Sequence, residues 1–239
     1  MQIKRITIDT IELLLWYSEN KRLLPFRNTN DPYKIWLSEV MLQQTKVNTV
    51  IPYYNQWLKH HPTLQSAADA RIGQLLKLWE GLGYYQRCMN FHKALKIVVN
   101  NYKGKIPSSF NHFINLPGVG EYTAGAVLSI AFNKPMPAID GNVKRVMSRI
   151  LGIKKLTTYN QNRIKKTIYE FIPKDNPGNF NQALMELGAL VCTPKKPKCS
   201  KCPIAKNCSA YNSSNPELYP LPKKIRKIPH YIIVTGIIW

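Results

Sequence analysis

The chain has 239 residues and is 44% apolar, enough for one large domain or two small ones with a proper core. Lys and Arg number 34 against 13 Asp and Glu, a formal charge of +21, which points to an anionic partner, either nucleic acid or a membrane surface. No apolar run approaches a spanning length and no signal peptide opens the chain, so membrane insertion and export are not expected, and a reducing cytoplasm makes the five cysteines poor disulfide candidates.

The pattern is helical almost throughout. Ile8, Ile11, Leu14 and Leu15 predict the buried stripe of a first helix. Asp31-Pro32 predicts a helix start, an N-cap followed by proline at the first helical position. In "DPYKIWLSEVMLQQT", Glu39 sits among apolar neighbours. A carboxylate there is costly unless paired or protonated, and desolvation would raise its pKa towards that of a general acid. A glutamate on a solvent stripe is equally compatible with the sequence. Cys88, Phe91, Leu95, Val98 and Val99 form a further stripe, with Cys88 an ordinary buried thiol.

"FINLPGVGEYTAGAVLSIAF" reads as helix, hairpin, helix. Gly118 and Gly120 are expected to relieve a backbone that other residues would strain, and free amides at the second helix's N-terminus make an anion nest suited to phosphate. A tight helix–helix turn with no ligand is the plainer alternative. In "PMPAIDGNVKRVMSRI", Asp140 precedes a helix as its N-cap, where amides and the helix dipole favour the anion. One protonated carboxyl (Glu39) and one anionic carboxylate (Asp140) is the pairing needed to break a glycosidic bond.

"CTPKKPKCSKCPIAKNC" places Cys192, Cys199, Cys202 and Cys208 with gaps of six, two and five residues. Four thiolates from one loop suit zinc or a [4Fe–4S] cluster, and the single C-x2-C unit favours the cluster. Lys195, Lys196, Lys198, Lys201 and Lys206 offset the thiolate charge or face DNA, unless they are simply solvated. "YPLPKKIRKIPH" has linker composition, and "YIIVTGIIW" (Tyr231–Trp239) reads as a strand that opens a β-containing domain.

"PYKIWLSEVMLQQT", "LWEGLGYYQR", "LPGVGEYTAGA", "DGNVKR" and "FNQALMELGALVCTPKKPKCSKCP" together resemble the MutY-type adenine DNA glycosylases of the helix-hairpin-helix endonuclease III superfamily. The resemblance implies an all-α fold with two modules. Residues 1–28 plus 136–215 would form a [4Fe–4S] cluster module, and 29–135 a six-helix barrel carrying the hairpin. Residues 216–239 would be a linker and the first strand of a truncated Nudix-like domain. The implied activity is excision of adenine mispaired with 8-oxoguanine or guanine in double-stranded DNA, by a monomer in the cytoplasmic nucleoid. The base would be flipped out of the stack first.

The same resemblance implies roles. Glu39 would protonate adenine N7, Asp140 would stabilise the oxocarbenium ion, and Asn142 would position the site. Arg27 and Glu186 would contact adenine edges, although Arg27 could instead pair with phosphate or carboxylate and Glu186 could be a surface residue. Phe26 replaces the family's pocket tryptophan. Gln44 and Tyr84 would intrude into the duplex, with a core aromatic as the plainer reading of Tyr84. Leu116, Gly118, Val119 and Gly120 would form the hairpin's DNA contact, and Cys192, Cys199, Cys202 and Cys208 would ligate the cluster. Strand-cutting relatives carry lysine where Tyr122 stands, and a phenol cannot form their Schiff base. Tyr122 is expected to hydrogen-bond the aspartate or a phosphate, while Lys144 is a possible substitute amine. Two other readings stay open: an endonuclease III-type pyrimidine-lesion glycosylase/lyase, and a non-catalytic cluster protein that binds DNA.

Overall fold

Helices follow one another along the chain: α1 (Thr10–Asn20), α2 (Pro32–Leu42), α3 (Val47–His60), α4 (Leu64–Asp69), α5 (Ile72–Leu78), α6 (Gln86–Tyr102), α7 (Phe110–Phe113), α8 (Glu121–Phe132), α9 (Gly141–Leu151), α10 (Thr158–Phe171), α11 (Pro177–Leu190) and α12 (Ser209–Asn212). The computed structural model describes residues 8–221, and among these every regular element is helical. The expected strand at Tyr231–Trp239 and most of the linker before it lie outside the described residues.

Local chemistry fixes several helix starts. Asp31 Oδ1 accepts from the Tyr33 amide at 2.9 Å, with Pro32 first in α2. Asp140 Oδ1 accepts from the Val143 amide at 2.7 Å, and Thr63 and Ser66 close a reciprocal capping box on α4. Such caps satisfy amides that a helix start leaves without carbonyl partners.

The buried apolar side chains fall into two clusters. One runs from Leu24 to Leu128 and involves α2 to α8. Its centre is aromatic: Trp36 meets Phe91 edge-on at 5.0 Å and Phe113 at 5.0 Å, and Trp57 meets Trp79 at 5.8 Å. Edge-to-face pairs of this kind add about 0.5–1.5 kcal/mol each beyond the area they bury. Cys88 is fully buried within this cluster, and burial pushes its thiol up to about 12. The other cluster joins α1 to α9, α10 and α11.

The stripe expected on α1 holds at Ile8 and Leu14, which pack in the second cluster, and is corrected at Ile11 and Leu15. Ile11 is 73% and Leu15 54% exposed, while Leu13 and Tyr17 face α11. Every position from Ile11 to Tyr17 except Glu12 is apolar or aromatic, so periodicity could not select the face. Tyr17 does, because its hydroxyl also reaches Gln182 Oε1 at 3.2 Å.

The two clusters meet along α8, α9 and α11. Gly188 lets α11 approach α9 closely, since a Cβ there would lie 2.6 Å from Asn142 Cβ. Buried Asn181 stitches the segment between α8 and α9 to α11: its Oδ1 accepts from Ala138 N at 3.1 Å, and its Nδ2 donates to Ser129 Oγ and Met136 O, each at 2.8 Å.

Candidate active site

A cleft of about 720 Å³ opens at this junction, lined from both sides. α2 brings Glu39, α8 brings Tyr122, the start of α9 brings Asp140 and Asn142, and α11 brings Glu186. Phe26, Arg27, Gln44, Gly118, Gly120 and Lys144 also line it.

Glu39 is 7% exposed, so the solvent-stripe reading is wrong. Burial lifts its pKa to about 7, with Asp140 adding to the rise, while the Tyr122 hydrogen bond and the Arg27 charge oppose it. The Tyr122 hydroxyl donates to Glu39 Oε2 at 2.6 Å. This corrects the expected bond to the aspartate: α2 packs directly on α8, which sets the phenol against the glutamate. The phenol's own pKa is well above 10 because of burial and the adjacent carboxylate, so it stays a donor.

Asp140 accepts from Val143 N with Oδ1 and from Asn142 Nδ2 with Oδ2, at 2.7 and 2.9 Å. Those bonds and the charge of Arg145 favour its anion, as a helix start should, but burial outweighs them and its pKa is raised. The expectation of an aspartate held down by its cap is corrected in sign, because desolvation is the largest effect.

Glu186 is fully buried, which overturns the surface alternative. It is clamped by two arginines. Arg22 donates from its backbone N and Nε to Oε1 at 2.9 and 2.8 Å and from Nη2 to Oε2 at 2.7 Å, and Arg27 Nη2 reaches Oε2 at 2.8 Å. Against the upward pull of burial, these partners hold the carboxyl down at about 2. Arg22 was not anticipated. Its signal was only a cation five residues before Arg27, and its acceptor lies on α11, 164 residues away. Phe26 is buried, with its ring 5.6 Å from that of Tyr54 and edge-on to it.

The hairpin lies between α7 and α8. Gly118 has φ +78°, and a Cβ there would sit 3.0 Å from Asn90 Cβ. Gly120 is different: at φ −103° it is ordinary extended backbone with open space around it. The expectation that both glycines relieve strain therefore holds for Gly118 alone. Leu116 and Val119 bury their side chains in the core, so what the hairpin offers outward is backbone. Gln44 and Tyr84 are exposed, and both have positive φ, +57° and +50°. Tyr84 is 61% exposed, so it is not a core aromatic. Gln44 lines the cleft, and Tyr84 stands outside it.

Cys192, Cys199, Cys202 and Cys208 are free and half-buried. Their loop has Ile204 as its buried apolar residue, so it has little core of its own. Burial pushes the Cys202 thiol up to about 12, and the other three cysteines push the same way. Burial and neighbouring cysteines likewise raise Cys199 and Cys208. Among the described residues, no three His, Cys, Asp or Glu side chains converge closely enough to hold a single metal ion. Buried Arg149 donates to Cys192 Sγ at 3.3 Å and to the Thr193 and Pro194 carbonyls. Arg145 bonds the Cys192 carbonyl at 2.8 Å and Asn142 Oδ1 at 2.8 Å, so the cysteine loop is tied to the residue that holds Asp140. The five lysines of the loop are exposed.

Residues 37–174 match the model of the HhH-GPD superfamily base excision DNA repair proteins. A protein named adenine DNA glycosylase from Buchnera aphidicola subsp. Schizaphis graminum is 42% identical over 217 residues, 89% of this chain and 62% of that one. Its human namesake is 41% identical over 219 residues, 87% of this chain and 40% of that one. The chain thus spans less than two thirds of either relative. A thermostable thymine-DNA glycosylase of known structure superposes with a TM-score of 0.78 at 29% identity, covering 85% of this chain and 95% of that one. An endonuclease III trapped covalently on DNA shares the fold, with a TM-score of 0.72 at 23% identity over 86% and 94% of the two chains. With more than half its length inside the family model, the chain belongs to the HhH-GPD superfamily of base excision DNA repair proteins.

Proposed function

We propose that the chain excises adenine opposite 8-oxoguanine or guanine in duplex DNA and leaves an abasic site. The observation that carries this reading is a buried carboxyl, Glu39, poised at about 7 and facing a second carboxyl, Asp140, across a cleft of base-accepting size. The curated relatives' shared name, adenine DNA glycosylase, supports the choice of base.

The adenine must leave the stack to enter the cleft. Glu39 Oε2 is occupied by the Tyr122 hydroxyl, which leaves Oε1 to carry the acidic proton. That proton passes to adenine N7. The C1′–N9 bond then breaks with its electron pair going to the base, leaving a cationic sugar. Asp140, held by Val143 N and Asn142, presents its charge to that cation until water adds at C1′. Arg22, Arg27 and Glu186 give the pocket a rigid polar wall for the base's edge. The hairpin's outward amides suit a phosphate of the same strand.

A phenol at Tyr122 has no amine to form an imine, which supports simple hydrolysis over strand cleavage. Lys144 is an amine that lines the cleft, so a direct nick would implicate it. Four cysteines in one loop with a single C-x2-C unit suit a [4Fe–4S] group. Bound there, the cluster would act as a staple for a loop without a core. The basic surface suits double-stranded DNA as partner, and hence the nucleoid as site of action.

The test is a duplex with adenine opposite 8-oxoguanine. Strand breaks visible only after alkali are expected. Nicking without alkali would favour the lyase reading, and binding without base release would favour a non-catalytic DNA-binding protein.

A further inference from the structure

Arg87, near the start of α6, lies outside the machinery described above. Its guanidinium makes a fork between two loops. Nη1 donates to carbonyls at the end of α2 and just beyond it: Met41 O at 2.9 Å, Val40 O at 3.1 Å and Gln43 O. Nη2 donates to Thr45 Oγ1 at 3.2 Å and, from the other loop, to Gly83 O at 3.2 Å. The Tyr84 ring stands 5.2 Å from the guanidinium carbon, and the buried Trp79 ring stands 5.5 Å from it.

The acceptors bracket two residues. Gln43 and Thr45 flank Gln44, and Gly83 precedes Tyr84. Gln44 and Tyr84 are both non-glycine residues held in the left-handed region. Such conformations persist only where the surroundings over-determine them. Arg87 is the side chain common to both loops. It also backs one face of the Tyr84 ring, while most of that ring remains exposed.

We infer that Arg87 is a positioning residue for duplex entry, locking the Gln44 and Tyr84 loops into one preset wedge that opens the base pair. This rests on the reading of the cleft as a site for a flipped base. Opening a pair costs several times the thermal energy, and a rigid wedge supplies it without first ordering two loops. Lysine keeps the charge but cannot span both loops, because it lacks the two nitrogens of the fork.

The experiment compares wild type with Arg87→Lys under single turnover on two substrates: the fully paired duplex, and the same strand with its adenine in an unpaired bubble. The expected result is a loss of about 10-fold or more on the duplex and about 2-fold or less on the bubble, since the bubble has no pair to open. Equal losses on both, or none on the duplex, would overturn the inference. If Arg87→Lys melts early, Thr45→Val removes one Nη2 partner without stranding a cation, and the same selective loss in milder form is expected. A duplex carrying 2-aminopurine beside the target base reports opening by fluorescence, without base release. A smaller rise for Arg87→Lys than for wild type supports the wedge, and equal rises refute it. Failure of wild type to release adenine from either substrate would sink the glycosylase reading while leaving this fluorescence arm decisive.

Discussion

Replacing Tyr122 by Phe removes one hydroxyl and leaves the ring. The lost bond is the 2.6 Å donation to Glu39 Oε2. Because a donor favours the ionised carboxylate, its removal must raise the Glu39 pKa above about 7. A hydrogen bond to a charged group contributes about 1.5–3 kcal/mol, and each tenfold in acid strength is about 1.4 kcal/mol. The part of that energy specific to the ionised form is lost, so the pKa should climb above about 7. Glu39 acts while protonated, so the release rate is flat below its pKa and falls above it. In the variant this falling limb moves to higher pH. The plateau drops, since the carboxyl loses its anchor, yet the ratio of variant to wild-type rate grows as pH rises from about 6 to about 9. Single-turnover release from the adenine:8-oxoguanine duplex across that range measures both limbs. A limb that stays fixed or moves to lower pH would refute the proposed link between the phenol and the acid.

Four further outcomes are expected. Glu39→Gln should abolish release while sparing DNA binding, and should also stabilise the fold at neutral and higher pH. A pKa raised from 4.5 to about 7 means that ionising Glu39 costs about 3 kcal/mol. This stability is intact below about 4.5 and lost as pH rises through about 7, so wild type and variant should show equal urea midpoints below about pH 4.5, diverge as pH rises to about 7, and keep a constant difference above it. Glu186→Gln should do the reverse: with its pKa held at about 2, the carboxylate contributes about 3 kcal/mol above its unfolded pKa, and the variant's deficit should shrink as pH falls from about 4.5 towards 2. Gly188→Ala forces a methyl to within 2.6 Å of Asn142 Cβ; a loss of about 1–3 kcal/mol in stability and a lower release rate are expected, both readable on one purified variant. Anaerobically purified protein should contain iron and sulfide in equal amounts, and Cys199→Ser should lose both along with thermal stability.

Much of this arrangement was legible in the chain because its causes are local. Asp31-Pro32 and Asp140 cap their helices through amides two or three residues away, and Cys88 lies on a stripe whose period is unambiguous. Glu39 was legible only as a choice between burial and solvent, since both faces of α2 are apolar enough to hide it. What the chain did not disclose is the work of its arginines. Arg22 closes on α11, Arg145 and Arg149 grip carbonyls of the cysteine loop, and Arg87 grips carbonyls of two others. Backbone acceptors carry no residue identity, so no pattern of side chains announces them. The Tyr122 partner escaped for a related reason: it depends on how α2 meets α8, and neither helix encodes that angle alone.

The hairpin and the phenol share α8, with Gly120 capping the helix and Tyr122 in its first turn. On the proposed function, the strand's phosphate is therefore gauged against the acid by a rigid ruler two helical residues long, a rise of about 3 Å. No separate lid or hinge has to bring the proton donor into line once the backbone is seated. The same rigidity makes the spacing unforgiving: one residue inserted between Gly120 and Tyr122 would turn the phenol by about 100° around the helix axis and advance it about 1.5 Å. The strand would still be gripped, but out of register with its chemistry.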